Sequence, residues 1–334
     1  MKISVTIGIV SFADMDYLKR TLPSVFDQNF KNFEVLIFDN NLNLDIYNWI
    51  KENYPNIKIY RENKNSGFSK AHNYLINKAK GKYYLCLNSD VYLTPDYLNL
   101  LVKKCEDNEK IGAISGTILK WDEFPKMPIL NKNNKIDSLG LVIYENHQVK
   151  DIGQGTEFSI KNIYSKEIWG ISGACALYRV EALKEISHNN EFFDKNFFMY
   201  KEDVDLAYRL RWAGWKAFYL KDAVCFHNRT AFSHSNVINF LFQRFKMSKN
   251  VKINSFLNHI LMIVKNFDDN YSFKTKVKTF LFILAHFILT LVLAPNILFK
   301  LKSFMLKIKE AKQKKLKINK KISSLEMSKW FSLN

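Results

Sequence analysis

Within the first hundred residues, short β-branched runs alternate with stretches whose apolar residues recur every three or four positions, and this switching period constrains the chain more than any single motif. A period of two marks a strand and a period near 3.6 a helix with one buried face, so the natural solution is a series of βαβ units around a mostly parallel sheet. The spacing predicts strands at Ser4 to Val10, Phe33 to Phe38, Ile57 to Tyr60 and Lys82 to Leu87. It predicts helices from the stripe Tyr17, Leu18, Leu22, Val25 and Phe26 and from Ser69 to Ala79. Thr94-Pro95-Asp96 predicts another helix, with Thr94 as N-cap and Pro95 at the first helical position.

From about residue 111 the pattern is less regular. Strands are expected at Ile111 to Ile114, Leu139 to Tyr144, Ile168 to Tyr178 and Ala223 to Phe226, with a Lys/Asn/Pro-rich loop from Trp121 to Lys135. Val180 to Ile186 reads as a helix, and Val204, Leu206, Ala207 and Leu210 mark the buried face of one starting near Glu202. Beyond Thr230 no strand signal stands out and apolar residues recur at helical spacing. The expected organisation is therefore a βαβ half over residues 1–100, a less regular half over 101–230, and a helical extension over 231–334.

That extension holds the basicity. The formal net charge is +18, and residues 230–334 carry 19 of the 50 Lys and Arg but only 4 of the 32 Asp and Glu. A near-neutral body with a basic, apolar tail suits an anionic membrane surface better than a nucleic-acid groove, so no nucleic-acid partner is expected. Phe280 to Phe299 just reaches the roughly 20 residues needed to cross a bilayer, and only by including Pro295 and Asn296. Flanking lysines fit a helix lying in the interface, while a single span or a helix packed on the body stays open. The apolar N-terminal run is short and soon followed by Asp14 and Asp16, which is poor as a signal peptide; the cytoplasmic face of the cell membrane is the expected location. Cys86, Cys105, Cys175 and Cys225 lack CxxC spacing, so neither a zinc site nor a disulfide framework is indicated.

Four constellations could carry chemistry. Asn88-Ser89-Asp90 follows the fourth strand, where an α/β sheet presents ligands, and could hold a divalent cation through oxygen; such a tripeptide is also an ordinary turn. Glu202-Asp203 opens a helix. Carboxylates there should stay ionised and could accept a proton from an attacking hydroxyl, or could simply cap the helix. His227 ends a strand, where neutral imidazole could complete a metal shell or serve structure alone. The Asn65 to Asn73 segment offers Gly67 for close backbone approach and Lys70 for phosphate, and Asp39 could accept a hydrogen bond from a base or ribose. There is no GxGxxG and no Walker sequence, which disfavours dehydrogenases and P-loop enzymes.

Taken in order, these residues resemble glycosyltransferase family 2 over roughly residues 3 to 230. Val10, Ser11 and Phe12 look like the end of its first strand and donor loop, Asp39 like its base-contacting acid, and Asn65, Gly67, Phe68 and Asn73 like its next motif. Asn88-Ser89-Asp90 sits where the family carries its DXD metal motif, Gly173-Ala174 looks like its acceptor-side turn, and Glu202-Asp203 resembles its ED motif. Asp137-Ser138-Leu139-Gly140, Asp151 to Gly155 and Phe198 to Leu206 are closest to the bacterial rhamnosyltransferase-like branch. The resemblance implies a GT-A fold with a Rossmann-like, mostly parallel sheet flanked by helices, plus a membrane-associating helical extension. It implies an inverting, Mg²⁺- or Mn²⁺-dependent transfer in which Asp90 and His227 bind the metal, Asp203 is the base beside Glu202, and Asn88, Ser89 and Lys70 meet the donor. Trp169 would stack on the acceptor, unless it is a buried strand residue. The implied donor is dTDP-L-rhamnose, otherwise a UDP-hexose or GDP-mannose, and the acceptor a lipid-linked or polysaccharide hydroxyl. Asn88 replaces the usual first acid and removes one negative charge. A catalytically weak nucleotide-sugar-binding protein and a basic membrane-binding scaffold are the rival readings; the enzyme reading expects residual transfer to a soluble acceptor after removal of residues 270–334.

Overall fold

The computed structural model describes residues 3–124, 126–131, 133–159, 163–229 and 248–332. The strands are β1 (Val5–Ser11), β2 (Phe33–Asp39), β3 (Lys58–Arg61), β4 (Tyr83–Asn88), β5 (Val91–Leu93), β6 (Ile111–Lys120), β7 (Ile136–Ser138), β8 (Leu141–Tyr144), β9 (Val149–Asp151), β10 (Lys166–Ile168), β11 (Cys175–Arg179), β12 (Lys216–His227) and β13 (Phe331–Ser332). The helices are α1 (Met15–Phe26), α2 (Asp45–Asn53), α3 (Gly67–Lys78), α4 (Tyr97–Asp107), α5 (Val180–Ile186) and α6 (Glu202–Trp212), followed in the extension by α7 (Lys249–Asn266), α8 (Phe273–Leu293), α9 (Ile297–Lys315) and α10 (Ser324–Ser328).

The main sheet runs β10-β12-β6-β11-β4-β1-β2-β3, with β5 added to β12 and β7 to β6. Its first-built half, β4-β1-β2-β3, is wholly parallel, as the βαβ pattern requires. The other half is mixed: β11 runs antiparallel to both β4 and β6, while β12 is parallel to β6. Both faces are covered. Val5, Ile7 and Ile9 face α1, α2 and α4 on one side, while Leu36, Phe38, Tyr84 and Cys86 face α3, α5 and α6 on the other. Gly8 is part of this fit, because a Cβ there would lie 1.9 Å from the Tyr84 hydroxyl.

Several elements differ from expectation for local reasons. β6 continues to Lys120 because Gly116, which weakens the strand signal, is needed there: a Cβ would meet the Ala223 carbonyl oxygen at 1.9 Å. β12 is longer than Ala223 to Phe226 and carries a register shift between Leu220 and Val224, which breaks its period. The stretch Ile168 to Tyr178 is two strands, interrupted by a turn containing Gly170 and Gly173. Leu139 lies between β7 and β8. α4 starts at Tyr97 with Asp96 at its N-cap; the Thr94 hydroxyl instead donates to the Val224 carbonyl at 2.6 Å, which ties the turn to β12. The extension ends in a strand, β13, paired parallel to β8.

The extension shares a core with the sheet domain. Val204, Tyr208 and Trp212 of α6 pack with Ile253, Phe256, Leu257 and Leu261 of α7 and with Ala294, Ile297 and Phe304. A buried ionic cluster reinforces the contact. Lys265 Nζ lies 2.8 Å from Asp194 Oδ2 and 3.0 Å from Asp205 Oδ2. Asp205 also accepts from Arg209 Nε at 2.9 Å and from the Asn266 amide at 2.9 Å.

Candidate active site

The cleft sits at the carboxyl ends of β1, β2 and β4, where a parallel sheet leaves its loops free to diverge. β5 pairs antiparallel with the end of β12, Val91 opposite His227, and the Asn228 N–H donates to the Asp90 carbonyl. These backbone bonds bring together two side chains far apart in sequence: His227 Nε2 lies 3.2 Å from Asp90 Oδ1. On the other side of the ring, His227 Nδ1 lies 2.8 Å from Asp137 Oδ2. Asp137 is also 3.4 Å from Arg229 Nε, and Arg229 Nη1 is 2.8 Å from Asp151 Oδ2.

From Arg229 the contacts continue to the turn before β11. Arg229 Nη2 donates to Ser172 Oγ at 3.4 Å, and the neighbouring Gly173 N–H donates to Asp203 Oδ2 at 3.1 Å. Asp203 Oδ1 accepts the Val204 N–H at 2.8 Å. Gly173 leaves room for this arrangement, since a Cβ there would sit 3.3 Å from Asp203 Cβ. Asp90 and Asp203 are thus joined through His227, Asp137, Arg229 and the Ser172-Gly173 turn in one line of contacts.

Burial sets the protonation of these groups. Desolvation pushes Glu202 up to about 8, helped by the neighbouring Asp203 charge, and Glu202 Oε2 is buried with no hydrogen-bond partner. Asp203 is also raised by desolvation, against the two backbone N–H groups that hold it. The expectation that the helix terminus keeps both carboxylates ionised is therefore corrected for Glu202, where desolvation outweighs the helix field. Burial also opposes charge on His227, but Asp90 and Asp137 outweigh it and push the imidazole up to about 9.

A divalent cation fits between Asp90 and His227 on chemical grounds. Asp137 anchors Nδ1 and fixes the ring so that Nε2 faces the Asp90 carboxylate, which is how metal-binding imidazoles are usually oriented. Among the described residues no group of three or more His, Cys, Asp or Glu forms a closed metal cage, so oxygen ligands from substrate or water would complete such a shell.

The remaining sequence-derived candidates divide. Ser11 Oγ donates to buried Asp39 at 3.3 Å; Asp39 Oδ1 also accepts from the backbone and amide of Asn41, while Asp39 Oδ2 has no partner. Val10 pairs with Asn88 across β1 and β4, Phe12 is exposed at the cleft edge, and the Asn88 N–H donates to the Ala174 carbonyl at 2.9 Å. The Ser89 carbonyl accepts from Thr21, and Asn65 Oδ1 accepts the Gly67 N–H at the left-handed turn opening α3. Lys70 is engaged elsewhere, 3.1 Å from Glu62. Asn73 spends its amide on Phe192 and Phe193, clamping α3 to that loop. Trp169 is buried edge-on against Tyr208, with ring centroids 4.9 Å apart, so its ring is core rather than a stacking platform.

Asp137, Asp151 and Arg229 were assigned no role from sequence. The one local hint is that Asp137 directly follows Ile136 in a short strand, β7, that proves fully buried, where an acid needs a buried partner. Asp14 was also missed: it bonds to the Ser89 side chain, burial together with the nearby Asp90 charge raises it to about 6, and its Oδ1 lacks a partner. With Tyr17, Asn41 and Phe124 it lines a cleft of about 460 Å³.

Comparison with known proteins identifies the family and the fold. The family model for glycosyl transferase family 2 matches residues 6–187. The chain is 25% identical over 238 residues to the N-acetylglucosaminyl-diphospho-decaprenol L-rhamnosyltransferase of Mycobacterium tuberculosis, covering 66% of this chain and 74% of that protein. A second relative, glycosyltransferase GlyA of Streptococcus pneumoniae, is 29% identical over 103 residues, which is 30% of this chain and 15% of that one. Among solved structures, GalNAc-T7 with UDP, GalNAc and Mn²⁺ superposes with a TM-score of 0.60 at 14% identity, covering 80% of this chain and 48% of that enzyme, so the chain spans about half of its length. S. aureus TarS in complex with UDP gives a TM-score of 0.50 at 14% identity, covering 98% and 78%. The fold is GT-A-like.

Proposed function

The chain belongs to glycosyltransferase family 2, and from that premise we propose that it moves a sugar from a nucleotide-diphosphate donor to a hydroxyl of a lipid-linked or polysaccharide acceptor, with inversion. The observation that carries this reading is the continuous line of contacts from Asp90 to Asp203. Asp203 takes the proton of the acceptor hydroxyl; the oxygen attacks the anomeric carbon; the carbon–oxygen bond to the diphosphate breaks on the opposite face and the nucleotide leaves with the electron pair. Burial raises Asp203 above an ordinary carboxylate and so strengthens it as a base, while the Gly173 and Val204 N–H groups fix its orientation.

Asp90 and His227 would hold Mg²⁺ or Mn²⁺, which supplies positive charge against the departing diphosphate. Asp14 adds a carboxylate beside Asp90 on a site where Asn88 removes one. The orphaned Asp39 Oδ2 suits an N–H or O–H of the base or ribose. For the donor, the L-rhamnosyltransferase relative favours dTDP-L-rhamnose, ahead of a UDP-hexose or GDP-mannose; its N-acetylglucosaminyl-diphospho-decaprenol substrate favours a lipid-linked acceptor.

The test is Asp203→Asn. It should retain donor binding by calorimetry while lowering transfer by about 10²–10⁴-fold, the usual worth of a general base. Turnover like that of the parent would remove Asp203 from the mechanism, and absence of transfer in the parent over a nucleotide-sugar panel with Mn²⁺ would favour a binding protein.

A further inference from the structure

We propose that α8 and α9 form a hairpin lying flat in one leaflet of an anionic bilayer, so that the protein is monotopic with both flanks on the same side. The inference deepens the membrane element of the functional reading above. By length and composition α8 is the one helix among the described residues able to cross a bilayer, being 21 residues long. Length alone leaves crossing and lying flat equally open, and two features of the packing decide between them.

The first is that α8 is inside out. Its polar residues Thr275, Thr279 and Thr290 are buried, and His286 turns inward against Phe256 of α7 with ring centroids 5.0 Å apart. Its outward stripe is Val277, Leu281, Leu284, Ile288 and Val292, spaced three and four residues apart. A water-facing helix places these two sets the other way round. α9 continues the outward surface with Leu298, Phe299 (88% exposed), Met305 and Leu306, while Ile297, Phe304 and Ala311, seven residues apart, are buried inward. An exposed apolar surface spread over two helices marks an interaction site.

The second is that the chain returns. Before the hairpin, α7 is fixed to the catalytic helix by Lys265 and Asn266, and Glu145 of the β8–β9 turn holds Lys278 at the start of α8. After it, Lys314 pairs with Asp194 at 2.6 Å, the Lys321 N–H donates to the Trp212 carbonyl at 2.7 Å, Arg211 lies 4.1 Å from the Trp330 ring, and β13 joins β8. A crossing α8 would carry Asn296 to the far side, about 30 Å away at 1.5 Å per residue, leaving the lysine-bearing α9 to bring the chain back through hydrocarbon. Both helices instead rest on α7.

Charge selects the occupant. Between Phe273 and Lys309 there are seven lysines and no Asp or Glu, with exposed Lys302 and Lys309 beside the apolar stripe of α9. Anionic headgroups match that rim, whereas a second copy would set like charges against each other.

The full-length chain should float with vesicles of phosphatidylcholine plus phosphatidylglycerol, float less as salt rises, and stay unbound to phosphatidylcholine alone. The double variant Leu284→Glu, Phe299→Glu alters only outward side chains; it should partition on the order of a hundredfold more weakly and still turn over a soluble acceptor as the parent does. In sealed membrane vesicles, tags at the two ends should be cleaved from the same side. A parent that stays with the soluble fraction, a dimer abolished by the double variant, or tags on opposite sides would each overturn the hairpin. Flotation, oligomeric state and tag topology do not depend on sugar transfer, so they fail or succeed separately from the proposed activity.

Discussion

Lys265→Met replaces the one cation that bridges Asp194 and Asp205, at similar volume and with the helix otherwise intact. Both carboxylates stay buried and keep one strong partner each, Lys314 for Asp194 and Arg209 for Asp205. Breaking a buried pair usually costs about 3–5 kcal/mol, and the surviving partners place this loss near the lower end, about 3 kcal/mol. With an unfolding entropy of about 2.1 cal/mol/K per residue, that corresponds to a fall on the order of 4 °C in Tm if the 334 residues unfold together. The pH dependence gives a sharper check. Burial works to raise Asp194, yet Lys265 and Lys314 outweigh it and hold the carboxyl well below its ordinary range; Asp205 is lowered in the same way by Lys265 and Arg209. A depressed carboxylate stabilises the fold above its unfolded pKa, near 3.8, and that contribution fades as pH falls through the folded value. The deficit of the variant should therefore be full at neutral pH and shrink below about pH 4. Thermal unfolding followed by circular dichroism at both pH values measures it. A Tm equal to the parent at neutral pH, or a deficit independent of pH, would refute the argument that Lys265 bridges a charged pair.

Glu202→Gln should stabilise the chain progressively as pH rises from about 5 to 8, by a few kcal/mol at the upper end, because a carboxyl raised to about 8 by burial makes the fold less stable above its ordinary range; a Tm difference that stays flat over that window would show that the group titrates normally. Asp137→Asn should weaken Mn²⁺ binding by about 10–100-fold in calorimetric titration with UDP present, since the anchor of His227 Nδ1 is lost, and unchanged affinity would remove Asp137 from the support of that site.

Most of the parallel half of the sheet was legible because its signals are local, but α2, which buries only Ile46 and Ile50, was not anticipated. The β1, β2 and β4 boundaries fall within one residue of the hydrophobic pattern. The mixed half was harder to read because its strands are written around contacts rather than period, with Gly116 making room for the Ala223 carbonyl and β12 slipping register after Leu220. At the site, Asp90, His227 and Asp203 were legible because each ends a strand or opens a helix. Their supports were not. Asp137 lies on β7, Asp151 ends β9 and Arg229 follows β12; Asp137 comes beside His227 because β7 and β12 both pair with the end of β6, and Arg229 links it to Asp151 by ion pairs. Trp169 and Asn73 show the converse: both have the right residue type in the right segment, yet both face partners that spend them on packing.

The extension illustrates why a deletion cannot separate its roles. Met199, Tyr200 and Lys201 lead directly into the Glu202-Asp203 pair, and Tyr200 and Lys201 both hold positive φ, 71° and 74°, a conformation that costs about 1–2 kcal/mol per residue outside glycine. The Asn258 amide of α7 donates to the Met199 and Tyr200 carbonyls at 2.8 and 3.1 Å, and so holds that strained approach from behind. α7 in turn carries Lys265 against the catalytic helix and supports α9, whose Lys314 completes the Asp194 pair. Removing residues 270–334 would strip α8, α9 and β13 from these supports and expose the apolar face of α7. Lost transfer in such a truncation would report a collapsed α6 as readily as a lost membrane contact. Residual transfer by a truncated chain is therefore no longer the expectation. Point changes on the outward faces of α8 and α9 test the membrane, and Asn258→Ala tests the support: with its two hydrogen bonds to the Met199 and Tyr200 carbonyls gone, kcat should fall while vesicle binding stays at the parent level, and an unchanged kcat would show that the remaining contacts hold the turn.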